Sequence, residues 1–347
     1  MKKYSLFFVF FLIFVFGKNL AQDFHVAQYD VASLYVNPAT TGMYDFEKTD
    51  YKVYAITRSQ WRSLRIKPFF TTFLAYDRPY KLKGKKIGLG GYFINNRTGP
   101  NNFNTTEFML SGAYDIFNTN SKNVTNQSAN SKHYLTTGLQ LGFFYKSLNL
   151  NNLTYDVQYS PFISGGNFDQ SIASGENNTT SSILRFNANY GIYYKYIERG
   201  QKYHPFAGFS MAHLNQANES FTGTVNRIPI KFSFNGGCEI KIDNKIDVTP
   251  RFLYMNQAKS NEINFGFLGY YKLPDNKTQL LVGADYRHKD AIIIHTGVKH
   301  DVYFLRFSYD INNSILRNYT NGRGAWEISL IFYGEKGVTF KKLRSSF

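Results

Sequence analysis

The chain has 347 residues, of which 18% are aromatic, and its single cysteine, Cys238, excludes a disulfide framework. Its 40 Lys and Arg against 24 Asp and Glu give a formal net charge of +16, which favours contact with lipid phosphates or an acidic partner surface. After residue 21 no apolar run approaches the roughly 20 residues of a membrane-spanning helix, so only a closed β-barrel could span a bilayer.

Residues 1–21 are predicted to be a signal peptide. Lys2 and Lys3 precede an apolar run at 6–16, and Ala21 places a small residue before the expected cleavage site at Gln22. The run is too short for a spanning helix, so we expect a signal peptide and an exported chain. Because the chain is expected to be exported, we expect no nucleic-acid partner. Removal of three lysines with the signal lowers the formal charge from +16 to +13.

Residues 22–49 show little periodicity and precede the first predicted strand. The segment contains Asn37-Pro38 and Gly42, residue types that form turns and fix the backbone. We predict an ordered N-terminal segment that lies in the periplasm or fills a lumen.

Residues 50–334 alternate between apolar and polar positions, the period of a β-strand with a different solvent on each face. The pattern is clearest at 228–242, which predicts a strand of about 15 residues before a tight reversal at 243–245. Cys238 takes an apolar position in this pattern, as a small hydrophobe would. Fourteen strands are predicted in all: 51–61, 67–77, 86–95, 104–116, 133–146, 183–197, 203–214, 228–242, 246–255, 262–271, 278–287, 290–299, 301–311 and 324–333.

These strands predict an all-β fold, a transmembrane antiparallel β-barrel of about 14 strands in the outer membrane, in contact with its lipid. Most are long enough for a tilted strand to cross the hydrocarbon layer, and aromatic residues near strand ends suit the membrane interfaces. A soluble sheet rich in aromatic residues is the alternative.

An even strand number places both chain ends on one side, taken as the periplasm. The inner turns are then mostly short and the outer connections longer, as in outer-membrane barrels. The exception is 117–132, which is long and inner. Basic residues occupy an inner turn, at Lys81, Lys83, Lys85 and Lys86, and the C-terminal tail 335–347. The long outer connections are 96–103, 147–182, 215–227 and 312–323.

No catalytic, cofactor-binding or metal-binding constellation stands out in the sequence. The seven histidines show no metal-ligand spacing, and the acidic residues are dispersed. We therefore expect no cofactor, no metal and no enzymatic activity, although a Ser/His/acid set assembled across strands is an alternative that spacing leaves open.

Several short stretches at both ends of the chain form a recognisable set: Gln22–Tyr29, Leu34–Ala39, Gly42, Arg58–Trp61, Gly283–Arg287, Ser308–Ile311 and Trp326–Leu330. Together they resemble the PorP/SprF family, outer-membrane proteins associated with the type IX secretion system of gliding and related bacteria. The chain departs from the family pattern in two places: Phe24 stands where proline is usual, and Ala325-Trp326 replaces Ser-His.

The resemblance implies a noncatalytic barrel that helps secreted proteins, such as large adhesins, to cross or stay attached at the outer membrane. Its expected partners are these secreted clients and other type IX components, with loops 147–182 and 215–227 as the candidate partner surface. A passive porin or small-solute channel is the alternative, and a structural subunit of the secretion apparatus is a third class.

Eight residues are candidate structural or family-motif positions. Asn37, Pro38 and Gly42 are predicted to fix the backbone of the N-terminal segment, and Trp61 ends the motif that begins at Arg58. The remaining four are predicted to form a lumen polar network that joins the first and last strands: Arg58, Gln60, Asp310 and Glu327.

Overall fold

The computed structural model describes residues 23–44, 49–64, 67–83, 85–99, 102–117, 131–149, 153–163, 166–175, 180–198, 200–275 and 277–335. The predicted signal peptide 1–21, residues 118–130 of the long inner connection and residues 336–347 of the tail lie outside the described residues. Within the described ranges, every helix is too short or too polar to cross a membrane.

Fourteen antiparallel strands close into one barrel, which confirms the predicted fold class. Each barrel strand pairs with the next along the chain, and the last strand pairs with the first, so the sheet has no free edge. A two-residue hairpin, β6 and β7, lies in the connection between β5 and β8. The strands are β1 (Thr49–Gln60), β2 (Phe69–Leu82), β3 (Lys85–Thr98), β4 (Phe103–Asp115), β5 (Ser131–Ser147), β6 (Tyr159–Ser160), β7 (Asn167–Phe168), β8 (Ser182–Glu198), β9 (Tyr203–Ala212), β10 (Lys231–Lys241), β11 (Ile246–Gln257), β12 (Ser260–Lys272), β13 (Thr278–Arg287), β14 (Ala291–His300), β15 (Tyr303–Asn312) and β16 (Arg323–Glu335).

All fourteen predicted barrel strands are present, but the expected strand of about 15 residues at 228–242 is wrong in length. Only Lys231–Lys241 pair as β10. Ile228 instead closes the preceding loop, because its amide donates to the carbonyl of Ala217 at 3.0 Å and its side chain is buried against Phe144 and Ile183. The alternating pattern therefore continues beyond the ladder hydrogen bonds.

The barrel wall carries apolar side chains on its outer face and polar side chains on its inner face, the reverse of a water-soluble barrel. On β15, Leu305 and Phe307 are exposed on the outside, whereas Arg306 and Ser308 are buried inside. Likewise Val282 is 63% exposed while Asp285 of the same strand is buried. An apolar exterior around a polar interior is the arrangement of a barrel surrounded by lipid.

Aromatic side chains form a continuous set of ring contacts where the first and last strands meet near the chain ends. The ring of Tyr51 lies 6.0 Å from that of Tyr76 and 5.9 Å from that of Phe332, which in turn lies 5.2 Å from Tyr303. Such a belt is typical of a membrane interface.

The two ends of the barrel differ in their connections. We call the end that carries Thr49 and Glu335 the inner end, and the opposite one the outer end. Fully described inner turns such as 242–245 and 301–302 are short, whereas the outer end carries the long connections 148–181 and 213–230. Two outer turns, 258–259 and 288–290, are also short, so the asymmetry comes from those long connections.

Residues 23–44 lie inside the barrel, and we call this segment the plug. It begins near Lys231 and Gln257 at the outer end and reaches Asp77 near the inner end. It contains one helical turn, Ser33–Val36, and a 3-10 turn, Pro38–Thr40. The main apolar core lies between plug and wall, and includes Tyr29, Leu34, Tyr35, Val36, Tyr54, Phe73, Ile94 and Leu268.

Candidate functional site

The Asn37-Pro38 pair fixes the middle of the plug and joins it to the wall. The Asn37 side-chain oxygen accepts a hydrogen bond from the amide of Ala39 at 2.9 Å, which caps the 3-10 turn. Its side-chain nitrogen donates to the carbonyl of Ile192 on β8 at 3.0 Å. Pro38 occupies the first position of the turn, where its missing N–H costs nothing.

Glycines in three wall strands let the plug backbone lie directly against the barrel. A Cβ atom on Gly191 of β8 would stand 2.1 Å from the Asn37 side-chain oxygen, and one on Gly138 of β5 would stand 2.4 Å from the amide nitrogen of Ala39. A Cβ on Gly88 of β3 would stand 1.8 Å from the carbonyl oxygen of Thr41. Any larger residue at these positions would force the plug away from the wall.

Gly42 ends this contact and is required for two reasons. Its φ of +62° lies in the left-handed region, and a Cβ atom there would stand 2.8 Å from the Cα of Gly88. Its amide donates to the Asp77 carboxylate at 2.6 Å, and Lys52 lies 3.6 Å from the other oxygen of that buried group. The predicted backbone position of Gly42 thus lies where plug, β2 and β3 meet.

Wall side chains satisfy the plug's backbone carbonyls, since the plug has little secondary structure of its own. Gln140 donates to the carbonyl of Leu34 at 2.8 Å, and Thr136 donates to that of Ala39 at 2.7 Å. Both donors come from β5 and point into the lumen. Polar side chains of the barrel interior therefore supply the hydrogen-bond partners that the plug backbone lacks within itself.

Glu327 of β16 holds the outer half of the plug. Its two carboxylate oxygens accept the backbone amides of Ala27 and Gln28, each at 2.8 Å. The Gln28 side-chain oxygen accepts from the hydroxyl of Ser329 at 2.6 Å, two residues further along the same strand. All these groups are buried, so the bonds are sheltered from water.

Three of the four residues predicted for a lumen network lie together. Arg58 of β1 contacts Asp310 of β15 at 2.8 Å and Glu327 at 3.3 Å, and it is directly opposite Glu327 in the β1–β16 register. Arg287 of β13 joins this cluster through Asp310 at 2.5 Å. Gln60, two residues further along β1, borders a pocket at the outer end together with Trp61 and Arg287.

A second charge cluster, absent from the sequence prediction, holds the middle of the plug. Asp30 pairs with Arg251 of β11 at 2.6 Å and also with Arg306 of β15. Arg251 contacts Asp285 at 2.6 Å as well, and His295 lies 3.0 Å from that carboxylate. Burial raises the pKa of Asp30, but the Arg306 and Arg251 guanidiniums outweigh it and hold that pKa well below its usual range.

Asp23 ties the start of the plug to the outer end. Its carboxylate lies 2.8 Å from the Lys231 ammonium and 2.9 Å from Nε2 of His213. Burial raises the pKa of Asp23, but Lys231 and His213 outweigh it and hold the pKa well below its usual value. The plug is thus fixed by ionised groups at its start and in its middle.

Two of the cavities lie on opposite sides of the plug, and among the described residues they share no lining side chain. The inner cavity, about 530 Å³, lies beneath Tyr29 and Asp30 and is bordered by Glu239, Lys241 and Lys299. The outer-mouth pocket, about 370 Å³, lies above His25 and is bordered by residues that include Trp61 and Glu262. Within the described ranges, no group of three His, Cys, Asp or Glu residues is placed to hold a metal ion.

Comparisons with known proteins bear on family and fold. A family model described as "Type IX secretion system membrane protein PorP/SprF" matches residues 19–332. A search of curated proteins finds no match. The toluene transporter TodX of Pseudomonas putida has a similar structure, with 12% identity and a TM-score of 0.45 over 90% of this chain and 94% of that one. The monoaromatic hydrocarbon channel CymD gives 11% and 0.46, over 87% of this chain and 92% of its own.

Proposed function

Because the chain belongs to the PorP/SprF family of type IX secretion system membrane proteins, whose model matches residues 19–332, we propose that it assists secretion or surface attachment of partner proteins. Large adhesins are the partner class we favour. The protein is an outer-membrane barrel, and in this proposal it acts by binding rather than by catalysis.

The observation that carries the proposal is an exposed aromatic surface on the longest outer connection. Residues 153–163 and 166–175 belong to this connection and carry a short hairpin whose Tyr159 and Phe168 rings are exposed and 5.6 Å apart, and Phe162 between them in sequence is 94% exposed. Aromatic residues are enriched in protein–protein interfaces, and a group of exposed apolar side chains can serve as an interaction surface. We call these three residues the outer aromatic patch.

Charge restricts the kind of partner that this patch fits. Residues 153–175 carry Asp156 and Asp169 and contain no Lys or Arg, although the whole chain is strongly basic. Acidic and aromatic groups together suit a partner segment that combines apolar and basic side chains. They disfavour the negatively charged lipid surface as the occupant.

The plug weighs against the passive-porin alternative. A solute that crosses the lumen would have to pass a segment held by ion pairs at Asp23 and Asp30 and by two backbone hydrogen bonds to Glu327. Breaking the buried Glu327 hydrogen bonds together with these partly buried ion pairs is costly, so in this conformation the lumen supports anchoring better than conduction.

The proposal is tested by replacing the outer aromatic patch in the protein's own cell. The triple variant Tyr159→Ser, Phe162→Ser, Phe168→Ser should lower the amount of secreted protein retained at the cell surface, measured by quantitative mass spectrometry. The matched control is Ile315→Ser, Tyr319→Ser, which removes two exposed apolar side chains from another outer connection. If removal of both long loops, 153–175 and 215–227, leaves attachment of every secreted protein intact while the barrel still folds, the proposal fails.

A further inference from the structure

A groove on the outside of the barrel lies at the outer end of the seam between the first and last strands. Trp326 of β16 pairs with Ser59 of β1 on one side and with Tyr309 of β15 on the other. Their strand neighbours Arg58 and Glu327 point into the lumen, so these three side chains point outward. They line a groove of about 210 Å³, which we call the seam groove.

The lower side of the seam groove continues into the apolar band of the barrel wall. Phe307 and Ile328, the next outward residues toward the inner end, pair across β15 and β16, and both are exposed. Leu305 and Leu330 form the following outward pair and are also exposed. Tryptophan and tyrosine side chains at the end of such a band are typical of the level where acyl chains meet headgroups. The seam groove therefore lies at the membrane interface.

Two arginines border the upper side of the seam groove. Arg62 lies just after β1 and Arg323 begins β16, and both residues are exposed. Among the described residues, neither guanidinium forms an ion pair with a carboxylate. By contrast, four arginines that point into the lumen are all paired with carboxylates: Arg58, Arg251, Arg287 and Arg306. The two charges at the seam groove are thus accessible to a ligand.

The chain next to the seam groove supplies no acidic residue that would balance these charges. Asp310 and Glu327, which lie close by in the strands, point into the lumen and are paired with Arg58 there. The connections 61–68 and 313–322 contain no Asp or Glu, and their basic residues are Arg62, Arg65, Lys67 and Arg317. The local charge therefore favours an anion as the ligand.

A tight turn fixes the position of Arg62. The amide of Trp61 donates to the carbonyl of Gly324 on β16 at 3.3 Å, and the amide of Leu64 donates to the carbonyl of Trp61 at 3.2 Å. Trp61 has a φ of +61°, which is an outlier for a bulky residue. Such conformations persist only where the surrounding structure holds them, and they concentrate at binding sites. The turn therefore holds Arg62 at the same groove as Arg323.

We propose that the seam groove binds a phosphorylated, anionic lipid of the leaflet at the outer end, with its phosphate at Arg62 and Arg323 and an acyl chain along Trp326. A guanidinium presents a planar fork of donors that matches phosphate oxygens. The apolar band below the groove matches the acyl chain, whereas a free phosphate ion has no part that would cover it. The position on the lipid-facing wall favours a lipid over an acidic protein segment.

Native mass spectrometry of the full-length protein tests this proposal. The protein is held in dodecyl dimethylamine oxide, a detergent without phosphate, and titrated with monophosphoryl lipid A. We expect a saturable adduct with this lipid. Diacylglycerol, which has acyl chains but no phosphate, should bind much more weakly. Inorganic phosphate at the same concentration as the lipid should not displace it.

The double variant Arg62→Gln, Arg323→Gln should weaken the adduct by roughly tenfold or more, because basic side chains at a membrane surface attract anionic headgroups. The matched control is Arg227→Gln, Lys259→Gln, which removes two exposed charges from other connections at the outer end. This control should bind the lipid like the unaltered protein. Heat-modifiable migration of each variant in gels establishes that its barrel is folded.

Absence of a saturable adduct, or an adduct that persists undiminished in Arg62→Gln, Arg323→Gln, would overturn the proposal. Equal binding of diacylglycerol would overturn it in favour of a groove for acyl chains alone, and displacement by inorganic phosphate would overturn it in favour of a site for the free ion. Saturable binding of a poly-glutamate peptide, but not of the lipid, would overturn it in favour of an acidic protein partner. None of these results bears on the outer aromatic patch, so this inference and the proposed function fail separately.

Discussion

Glu327 lies directly opposite Arg58 across the seam between the last and the first strand, and their charged groups are 3.3 Å apart. The same carboxylate accepts the amides of Ala27 and Gln28 of the plug. One buried side chain therefore joins closure of the barrel to retention of the plug.

Charge reversal at this position should disrupt the closed barrel. Glu327→Lys places a second cation beside Arg58 and removes both acceptors of the plug amides, at an expected cost of about 3–5 kcal/mol. Loss of heat-modifiable migration in gels measures the effect. Glu335→Lys makes the same charge change at the exposed inner end of β16 and should migrate like the unaltered protein. Unchanged migration of Glu327→Lys would show that this carboxylate does not hold the seam.

A methyl group on the wall should displace the plug. In Gly138→Ala the new Cβ would stand 2.4 Å from the plug backbone, an overpacking that typically costs about 1–3 kcal/mol. A cysteine introduced at Thr40 should then react faster with a water-soluble maleimide. Gly112→Ala is the control, because the nearest atom to its new Cβ is 3.8 Å away. Equal reaction rates in the two variants would mean that the close approach is not what holds the plug.

Plug retention should depend on pH only in acid. The pKa values of Asp23 and Asp30 are held below the ordinary value of about 3.9, so their ionised forms stabilise the folded state above that pH and lose this contribution as the pH falls through their folded-state pKa. Conductance in planar bilayers should be constant from about pH 8 to pH 5 and rise only below about pH 4.

The variant Asp30→Asn should already show raised conductance at neutral pH, because it leaves Arg251 and Arg306 without their shared carboxylate partner. The Asp30 side chain is 32% exposed and borders the inner cavity, so solvent weakens its ion pairs. Asp30→Asn should therefore destabilise the folded protein less than Glu327→Lys does. Asp243→Asn, on an inner turn, is the control and should conduct like the unaltered protein. A neutral-pH conductance of Asp30→Asn equal to that of the control would show that Asp30 does not help to retain the plug.

Deletion of residues 23–44 should open the lumen. A barrel of fourteen strands is wide enough to leave an aqueous passage once the plug is gone. Single-channel conductance of the deletion variant should therefore exceed that of the full chain at equal folded fraction. Equal conductance would indicate a passage that bypasses the plug.

The strand framework could be predicted from the sequence because lipid outside and polar groups inside impose the alternation on every strand, as Leu305 and Arg306 show. The contact of Arg58 with Asp310 and Glu327 could also be predicted from the sequence, since the first and last strands of a closed barrel must pair. Gln60, the fourth residue predicted for that network, lies two positions beyond Arg58 on β1 and borders the outer-mouth pocket together with Arg287.

The sequence left two positions open for residues 22–49, the periplasm or a lumen, because residues 23–44 lack a periodic pattern that would decide between them. Its partners are also remote in sequence: Asp30 meets Arg251 and Arg306 across 221 and 276 residues. The wall glycines Gly88, Gly138 and Gly191 carried a weak signal, since glycine inside a strand often marks a close backbone approach. Only the barrel register shows that these glycines face one segment.

The central claim, that this barrel serves the secretion system by binding partners, is tested most directly by gentle purification. The tagged protein would be isolated from mildly solubilised outer membrane of its own cell, and co-purifying proteins identified by mass spectrometry. We expect a large secreted protein or a type IX component to co-purify in stoichiometric amount and to be lost on replacement of Tyr159, Phe162 and Phe168. A barrel that purifies alone and conducts ions with its plug in place would contradict it.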